Sequence, residues 1–154
     1  MTPRLNPHQA APEVIRPMLA LEAALQEGGL ERPLVHLVKT RASQINGCAF
    51  CLHMHTAEAR ADGESEQRLY LLDAWRESPL YTPRERAALA WTEALTRVAE
   101  THAPDADYEA LSEQFSPQEQ VVLTMLIGAI NTWNRLAIGF RSVHPAGAAA
   151  AHAA

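Results

Sequence analysis

The sequence predicts an all-α protein, and three observations carry this prediction. Apolar residues recur at three- and four-residue spacing, the alternation expected of strands is almost absent, and helix start signals precede two long apolar stretches. At 154 residues, with 47% apolar and 20% charged residues, the chain is large enough for one domain with its own hydrophobic core. We place this domain at residues 1–144 and expect the alanine-rich residues 145–154 to form a disordered tail.

The first half of the chain predicts four helices, each with a recognisable end. Gly28-Gly29 stops the first, Pro33 suits the first turn of the second, Gly47 ends the second, and Ser65 can cap the fourth. The first helix carries its apolar residues at Ile15, Met18, Leu19 and Leu25, and the second at Leu34, Val38, Ala42 and Ile45. The predicted bounds are 14–27, 33–47, 48–63 and 65–75.

Two sharper start signals open the second half. Residues 82–85 (TPRE) and 116–119 (SPQE) are capping boxes with proline at the first helical position. The apolar face predicted behind the first is Ala87, Trp91, Leu95 and Val98. The second opens the longest helix, through Phe140, with a stripe at Val122, Leu126, Ala129, Trp133, Leu136 and Phe140. This helix is apolar nearly all round, which predicts burial within the domain or between subunits.

Charge and hydropathy narrow the range of partners. A net charge of -5 gives no footprint for nucleic acid or for an anionic membrane surface. The first residues lack the apolar run of a signal peptide, and the longest apolar run, 121–130, is too short to span a bilayer. We therefore expect a cytoplasmic protein. In that reducing compartment a cysteine pair is more often catalytic or metal-binding than structural.

The chemistry of the chain is concentrated in NGCAFCLHMH at residues 46–55, which holds both cysteines. With Cys48 in the first turn of the third helix, Cys48, Cys51, His55 and Glu58 fall on one face. The helix N-terminus favours thiolates, and His55 lies one turn from Cys51 but two from Cys48. This spacing assigns Cys51 as the attacking thiolate and Cys48 as the resolving thiol. Glu58 could orient His55 or simply be a solvated helix residue.

Two structural alternatives stand beside this dithiol interpretation. The cysteines could be half of a zinc site, with ligands drawn from His53, His55 or His36, but no second cysteine pair exists to complete it. They could also be two inert buried side chains. We expect a site without metal or cofactor, and a surface role for His53.

The segment RASQINGCAFC at residues 41–51, followed by His55, resembles the AhpD-like alkylhydroperoxidases of the carboxymuconolactone decarboxylase superfamily. ERAALAW at 85–91 and WNRLA at 133–137 extend the resemblance over roughly residues 34–140. It implies an AhpD-like helical bundle that assembles as a homo-trimer or hexamer and reduces a small-molecule hydroperoxide. In this family the second cysteine attacks and the first resolves, roles that map to Cys51 and Cys48, and the family histidine maps to His55. The implied electron donor is a dithiol, on a lipoylated or a thioredoxin-like protein.

The chain departs from the family pattern at two positions. His36 stands twelve residues before Cys48, where members with a proton relay commonly have glutamate, and Phe50 replaces a histidine before the second cysteine. His36 shares a helical face with Thr40, Ser43 and Gly47. It could act as the outer base of a relay, since imidazole titrates near neutral pH, or mark a weakened relay, or merely fill space. Two other functions remain open: a non-enzymatic redox sensor and, ranked lower, a carboxymuconolactone decarboxylase-type enzyme.

Overall fold

The computed structural model describes residues 2–145. Every element of regular secondary structure assigned in that part of the chain is a helix. This confirms the all-α prediction. The predicted tail lies, except for Pro145, outside the described residues. The helices are α1 (Pro7–Ala10), α2 (Pro12–Gln26), α3 (Arg32–Asn46), α4 (Ala49–Ala61), α5 (Glu66–Leu71), a 3-10 turn (Leu72–Ala74), α6 (Pro83–Thr96), α7 (Val98–Thr101), α8 (Asp105–Gln114) and α9 (Pro117–Phe140).

The predicted helix starts are confirmed at their capping side chains. The hydroxyl of Thr82 accepts the backbone N–H of Glu85, whose carboxylate accepts the N–H of Thr82 in return. Ser116 and Glu119 repeat this reciprocal pair at the start of α9. Both boxes satisfy backbone donors that a helix N-terminus would otherwise leave unpaired.

Three helices were not predicted. The helices α1 and α7 are single turns of four residues, too short to show a periodicity. The helix α8 buries only Leu111, so it has no apolar stripe for a pattern to reveal. Its start could have been found from Asp105 and Asp107, because carboxylates in a first turn behind a proline are typical of a helix N-terminus.

Two predicted core residues are wrong. Val98 is half exposed, because α6 leaves helical geometry at Arg97 and α7 begins as a separate turn. No glycine or proline marks that break, so the three- and four-residue spacing continues across it unseen. Leu19 is also half exposed, and it lines a cavity described below.

The main core lies around α9. Its buried side carries Leu123, Leu126, Ile127 and Ile130 and packs against α2, α3, α6 and α8. By length and composition alone α9 could also cross a membrane, but here it is the helix around which the others pack. Its other side exposes the apolar side chains of Val121 and Met125, and Ile138 is exposed near the end of the helix.

The hairpin of α3 and α4 positions the residues of interest. These helices run antiparallel on either side of the turn at 47–48, and α3 also packs on α6 and α9. Arg32 and His36 of α3 both contact Asp62 just beyond the end of α4, which fixes the register of the pair.

Candidate active site

The site is built on the turn that joins α3 to α4. Gly47 ends α3 with a left-handed backbone (φ 68°), which glycine adopts without the penalty a side chain brings. The N–H of Cys48 then donates to the carbonyl of Ser43 at 3.0 Å. Asn46 donates to the side-chain oxygens of Asn131 at 2.9 Å and Asn134 at 2.8 Å, both on α9. The turn is therefore held against α9, and Cys48 has a defined position.

Cys48 and Cys51 form a disulfide at the N-terminus of α4, with Cα atoms 5.4 Å apart. The predicted proximity of the two sulfurs is confirmed. Cys48 is at the N-cap and not in the first turn, because its backbone is extended and helical geometry begins at Ala49. Its sulfur accepts the N–H of Cys51 at 3.3 Å. A donor at a helix N-terminus favours a thiolate, so the helix end alone does not select Cys51 as the attacking sulfur.

The two cysteines differ in whether they line a cavity. Cys48 is 1% exposed and Cys51 is 2% exposed. Cys51 nevertheless lines a cavity of about 1100 Å³, which Cys48 does not reach. A molecule that enters this cavity meets Cys51 first. This supports the assignment of Cys51 as the attacking thiolate by an argument independent of the helix spacing.

The cavity is mainly apolar, and a partly buried ion pair lies in its wall. Lys39 and Glu22 form an ion pair at 2.5 Å, and the indole N–H of Trp133 donates to the same carboxylate at 3.0 Å. The apolar walls include Leu19, Leu25, Phe50, Met54, Leu136 and Val143. Such a cavity suits a molecule with a substantial apolar part.

His55 lies one turn after Cys51 and is 3% exposed. Its Nδ1 is 2.9 Å from Oε2 of Glu58, and a carboxylate can only accept, so Nδ1 carries the proton. Nε2 is then an acceptor, and it is buried without a hydrogen-bond partner. Burial lowers the pKa of His55, the hydrogen bond to Glu58 opposes this, and the charge of Lys39 lowers it further. His55 is thus a neutral imidazole at pH 7, ready to accept a proton.

The contact with His55 supports the orienting role of Glu58, although the side chain of Glu58 remains half exposed. Such a carboxylate fixes both the tautomer and the direction of the ring.

His36 occupies the end of the hairpin away from the cysteines. Its Nε2 is 2.7 Å from Oδ2 of Asp62, which also accepts from the guanidinium of Arg32 at 2.7 Å. The hydrogen bond from His36, assisted by Arg32, holds the pKa of Asp62 below its usual range against the opposing effect of desolvation. Nδ1 of His36 is buried without a partner. His36 and His55 thus share one arrangement, with one nitrogen on a carboxylate and the other free.

Asp62 is the residue that sequence reasoning missed. The sequence suggested only that it stands at a helix end, before Gly63. It lies fourteen residues after Cys48, while His36 lies twelve before it, so an antiparallel hairpin brings the two together. That near-equal distance from the turn could have identified it.

The histidines named for a zinc site are turned toward separate partners. His53 is exposed, and its ring stacks on that of His144 at 5.1 Å between centroids. His36 and His55 are held by their carboxylates. Within residues 2–145 no group of three or more histidine, cysteine, aspartate or glutamate side chains could hold a metal ion.

The helical fold, the Cys-x-x-Cys disulfide at a helix N-terminus and the carboxylate-bound histidine one turn later define a helical protein of the dithiol–disulfide class. The chain belongs to the carboxymuconolactone decarboxylase family, whose sequence profile matches residues 12–94. Its structural neighbours make it an AhpD-like member of that superfamily.

Three relatives show how far the likeness extends. A protein of unknown function from Agrobacterium tumefaciens, suggested to be an antioxidant defence protein AhpD, is 54% identical with a TM-score of 0.91, over 94% of this chain and 99% of that one. The uncharacterised protein YdfG of Bacillus subtilis is 40% identical over 90% of this chain and 94% of its own length. An uncharacterised peroxidase-related protein from Silicibacter sp. TM1040 is 25% identical with a TM-score of 0.76, over 87% and 71%.

Proposed function

We propose that this protein is a thiol-dependent peroxidase that reduces alkyl hydroperoxides through the Cys48–Cys51 pair, as an antioxidant of the cytoplasm. One observation carries the proposal: Cys51 lines a large, mainly apolar cavity, and the buried His55 stands one turn away with its Nε2 unpaired. The names of the Agrobacterium and Silicibacter relatives agree with this reaction class.

The oxidising half-reaction begins with the reduced protein. The thiol of Cys51 gives its proton to Nε2 of His55, and the thiolate attacks the terminal oxygen of the hydroperoxide. A sulfur–oxygen bond forms as the oxygen–oxygen bond breaks, so Cys51 is oxidised to a sulfenic acid and the peroxide is reduced to an alkoxide. The proton on His55 then converts the alkoxide to the alcohol.

The resolving step forms the disulfide seen in the structure. The sulfur of Cys48 attacks the sulfur of Cys51, and the hydroxyl of the sulfenic acid leaves with the proton of Cys48 as water. An external dithiol, on a lipoylated or thioredoxin-like protein, then reduces the disulfide and is itself oxidised. Burial of both sulfurs beneath the cavity limits competing reactions of the sulfenic acid.

The decisive experiment compares peroxide consumption by the reduced wild type with that of Cys51→Ser and Cys48→Ser. We expect Cys51→Ser to be inert. Cys48→Ser should consume one equivalent of tert-butyl hydroperoxide and stop, with a sulfenic acid that dimedone traps on Cys51. Labelling of Cys48 in the Cys51→Ser protein instead would reverse the two roles. A wild type that forms its disulfide with peroxide but never turns over with a dithiol would indicate a redox sensor.

We also propose that the protein is a homo-oligomer, a hexamer rather than a trimer. The support is exposed apolar surface on α9, where Val121 and Met125, one turn apart, are 64% and 46% exposed and Ile138 near the helix end is 46% exposed. Apolar side chains exposed to this extent commonly lie between subunits. Sedimentation equilibrium at micromolar concentration tests this, and a stable monomer would contradict it.

A further inference from the structure

Over residues 2–145, only three buried side-chain nitrogen or oxygen atoms have no hydrogen-bond partner. They are Nδ1 of His36, Oγ1 of Thr40 and Nε2 of His55. Thr40 is 0% exposed and does not line the cavity. Native proteins leave few such atoms unpaired, and each asks for an explanation.

The register of the hairpin places the three atoms in one region. His36 and Thr40 are one turn apart on α3, so their side chains share a face. Thr40 lies seven residues before Gly47 and His55 lies seven after Cys48, so the antiparallel pairing of α3 with α4 sets them level. The register therefore sets Thr40 one turn from His36 and level with His55.

The hydrogen-bonding capacities of the three groups are complementary. Asp62 and Glu58 each accept the proton-bearing nitrogen of one histidine, so both orphan nitrogens are acceptors. Two acceptors cannot bond to each other. A hydroxyl donates only one hydrogen bond, so Thr40 alone can serve one of the two nitrogens. Thr40 together with one water molecule, which donates two hydrogen bonds, can serve both.

We propose that Thr40 connects His55 to the Asp62–His36 pair and that this pair is the port through which protons enter and leave the site. The proton of Cys51 passes to Nε2 of His55 and on to the bridging water. The water gives a proton to the oxygen of Thr40, and the hydroxyl proton of Thr40 moves to Nδ1 of His36. The result is a thiolate in the interior and an imidazolium beside the carboxylate of Asp62. The same path in reverse returns the proton to the alkoxide, so no proton is gained or lost.

The charges along this path favour movement toward the edge of the hairpin. His36 has a side chain 12% exposed, against 4% for His55, and lies closer to solvent. The charged groups that face the path are Glu58 and Asp62 beside the histidines, Arg32 and Lys39 on α3, and Glu22 on α2. Arg32 and Lys39 are each paired to a carboxylate. Burial disfavours a proton held on His55, whereas the carboxylate of Asp62 lies 2.7 Å from Nε2 of His36.

This inference rests on the proposed function, which gives the proton path its purpose. The test therefore measures formation of the Cys51 thiolate and not peroxide turnover, so that the two proposals can fail separately. Variants are made in a Cys48→Ser background, and alkylation by iodoacetamide is followed from pH 5 to 9, because only the thiolate reacts. We expect Thr40→Val to slow alkylation at pH 7 about tenfold and to move the profile to higher pH, while Thr40→Ser stays within about twofold of the parent.

Two comparisons separate the path from a merely structural role. Thr92→Val is the matched control, because Thr92 is equally buried but its hydroxyl already donates to the carbonyl of Ala88 at 2.7 Å. It should leave the profile unchanged. Asp62→Asn should act in the same direction as Thr40→Val, and the double variant should be no slower than the slower single one, because both break one chain.

Each outcome bears on one proposal. A Thr40→Val profile that matches Thr92→Val, or additive effects in the double variant, would overturn the path. If the alkylation profile moves as expected but no peroxide is consumed, the path stands and the peroxidase proposal fails. If peroxide is consumed and alkylation ignores Thr40, the reverse holds.

Discussion

The two sides of α3 carry similar polar groups and leave them in different states. On the side toward α6, Arg41 is buried and donates from Nε to Glu93 at 2.8 Å and from Nη1 to Gln44 at 3.0 Å. On the side toward α4, His36 and Thr40 each keep one polar atom without a partner. The same helix thus carries a network in which the polar groups are paired, here called the closed network, and another with unpaired polar atoms, here called the open network.

The closed network has the character of a scaffold. Glu93 accepts from Arg41, from the indole of Trp75 at 2.8 Å, and from Arg76. Burial raises the pKa of Glu93, but these hydrogen bonds outweigh it and hold that pKa below its usual range. Every group has its partner, so the network can fix α6 against α3 but has no free atom for chemistry.

The open network resembles a functional site, because its groups are held in position and still have polar atoms without a hydrogen-bond partner. Carboxylates orient both histidines, and the free nitrogens and the Thr40 hydroxyl face the interior. The comparison teaches that burial of polar residues does not by itself mark function. The unpaired atoms among them do, and the following predictions test that distinction.

The largest effect is expected on the closed side. Glu93→Gln should lower the free energy of unfolding by about 3 kcal/mol, because it removes the buried counter-charge of Arg41 and leaves that guanidinium with the exposed carboxylate of Asp73. Urea unfolding followed by circular dichroism measures this. The matched change on the open side, Glu58→Gln, removes a half-exposed carboxylate and should cost less than about 1 kcal/mol. Equal losses would break the comparison.

The largest effect on activity is expected on the open side. His55→Gln should slow the reaction of the reduced protein with tert-butyl hydroperoxide about a hundredfold, the usual contribution of a positioned base. His53→Gln, two residues away on the exposed face, should react like the wild type. Stopped-flow measurement of both variants at pH 7 checks this. Equal rates would show that His55 is not the base.

Much of the scaffold and part of the site could be predicted from the sequence. Two helix starts could be predicted because each capping box, at Thr82 and at Ser116, is formed by residues within four positions of the chain. The helical face of Cys51 and His55 was legible for the same reason, since the periodicity of one helix sets it. The separate start of α7 at Val98 was not, because nothing in the local composition interrupts the pattern there.

The contacts between helices could not be read in this way. Asp62 joins His36 only through the register of the hairpin, and Glu93 joins Arg41 across 52 positions of the chain. A charged residue near a helix end has many exposed alternatives, so its partner depends on packing that a single sequence does not display. The sequence therefore predicted the paired sulfurs more readily than the polar groups around them.

A smaller effect concerns pH, and its sign follows from His55. The pKa of His55 is lower in the folded protein than its ordinary value of 6.5, mainly through burial. Below pH 6.5 the unfolded chain therefore binds more protons at this residue than the folded one, so stability falls as pH falls toward the folded pKa. His55→Gln should reduce this slope, by at most about 1.4 kcal/mol per pH unit. Urea unfolding between pH 7 and 5 tests it.

The smallest expected effect is a change in the free energy of unfolding that distinguishes an unpaired buried hydroxyl from a paired one. In the disulfide form seen in the structure the hydroxyl of Thr40 has no hydrogen-bond partner. Thr40→Val replaces it with a methyl group of similar size, so it should raise the free energy of unfolding of the oxidised protein by up to about 1 kcal/mol. Thr92→Val removes a hydroxyl that donates to the carbonyl of Ala88, so it should gain nothing and lose up to about 1 kcal/mol. Both residues are 0% exposed and lie within helices, so valine's helix propensity affects them alike. Urea unfolding of the two variants side by side gives the difference.

If Thr40→Val stabilises the fold while it slows thiolate formation, Thr40 is retained for chemistry at the expense of stability. If it destabilises the fold as much as Thr92→Val does, Thr40 is an ordinary core residue and the two sides of α3 are alike.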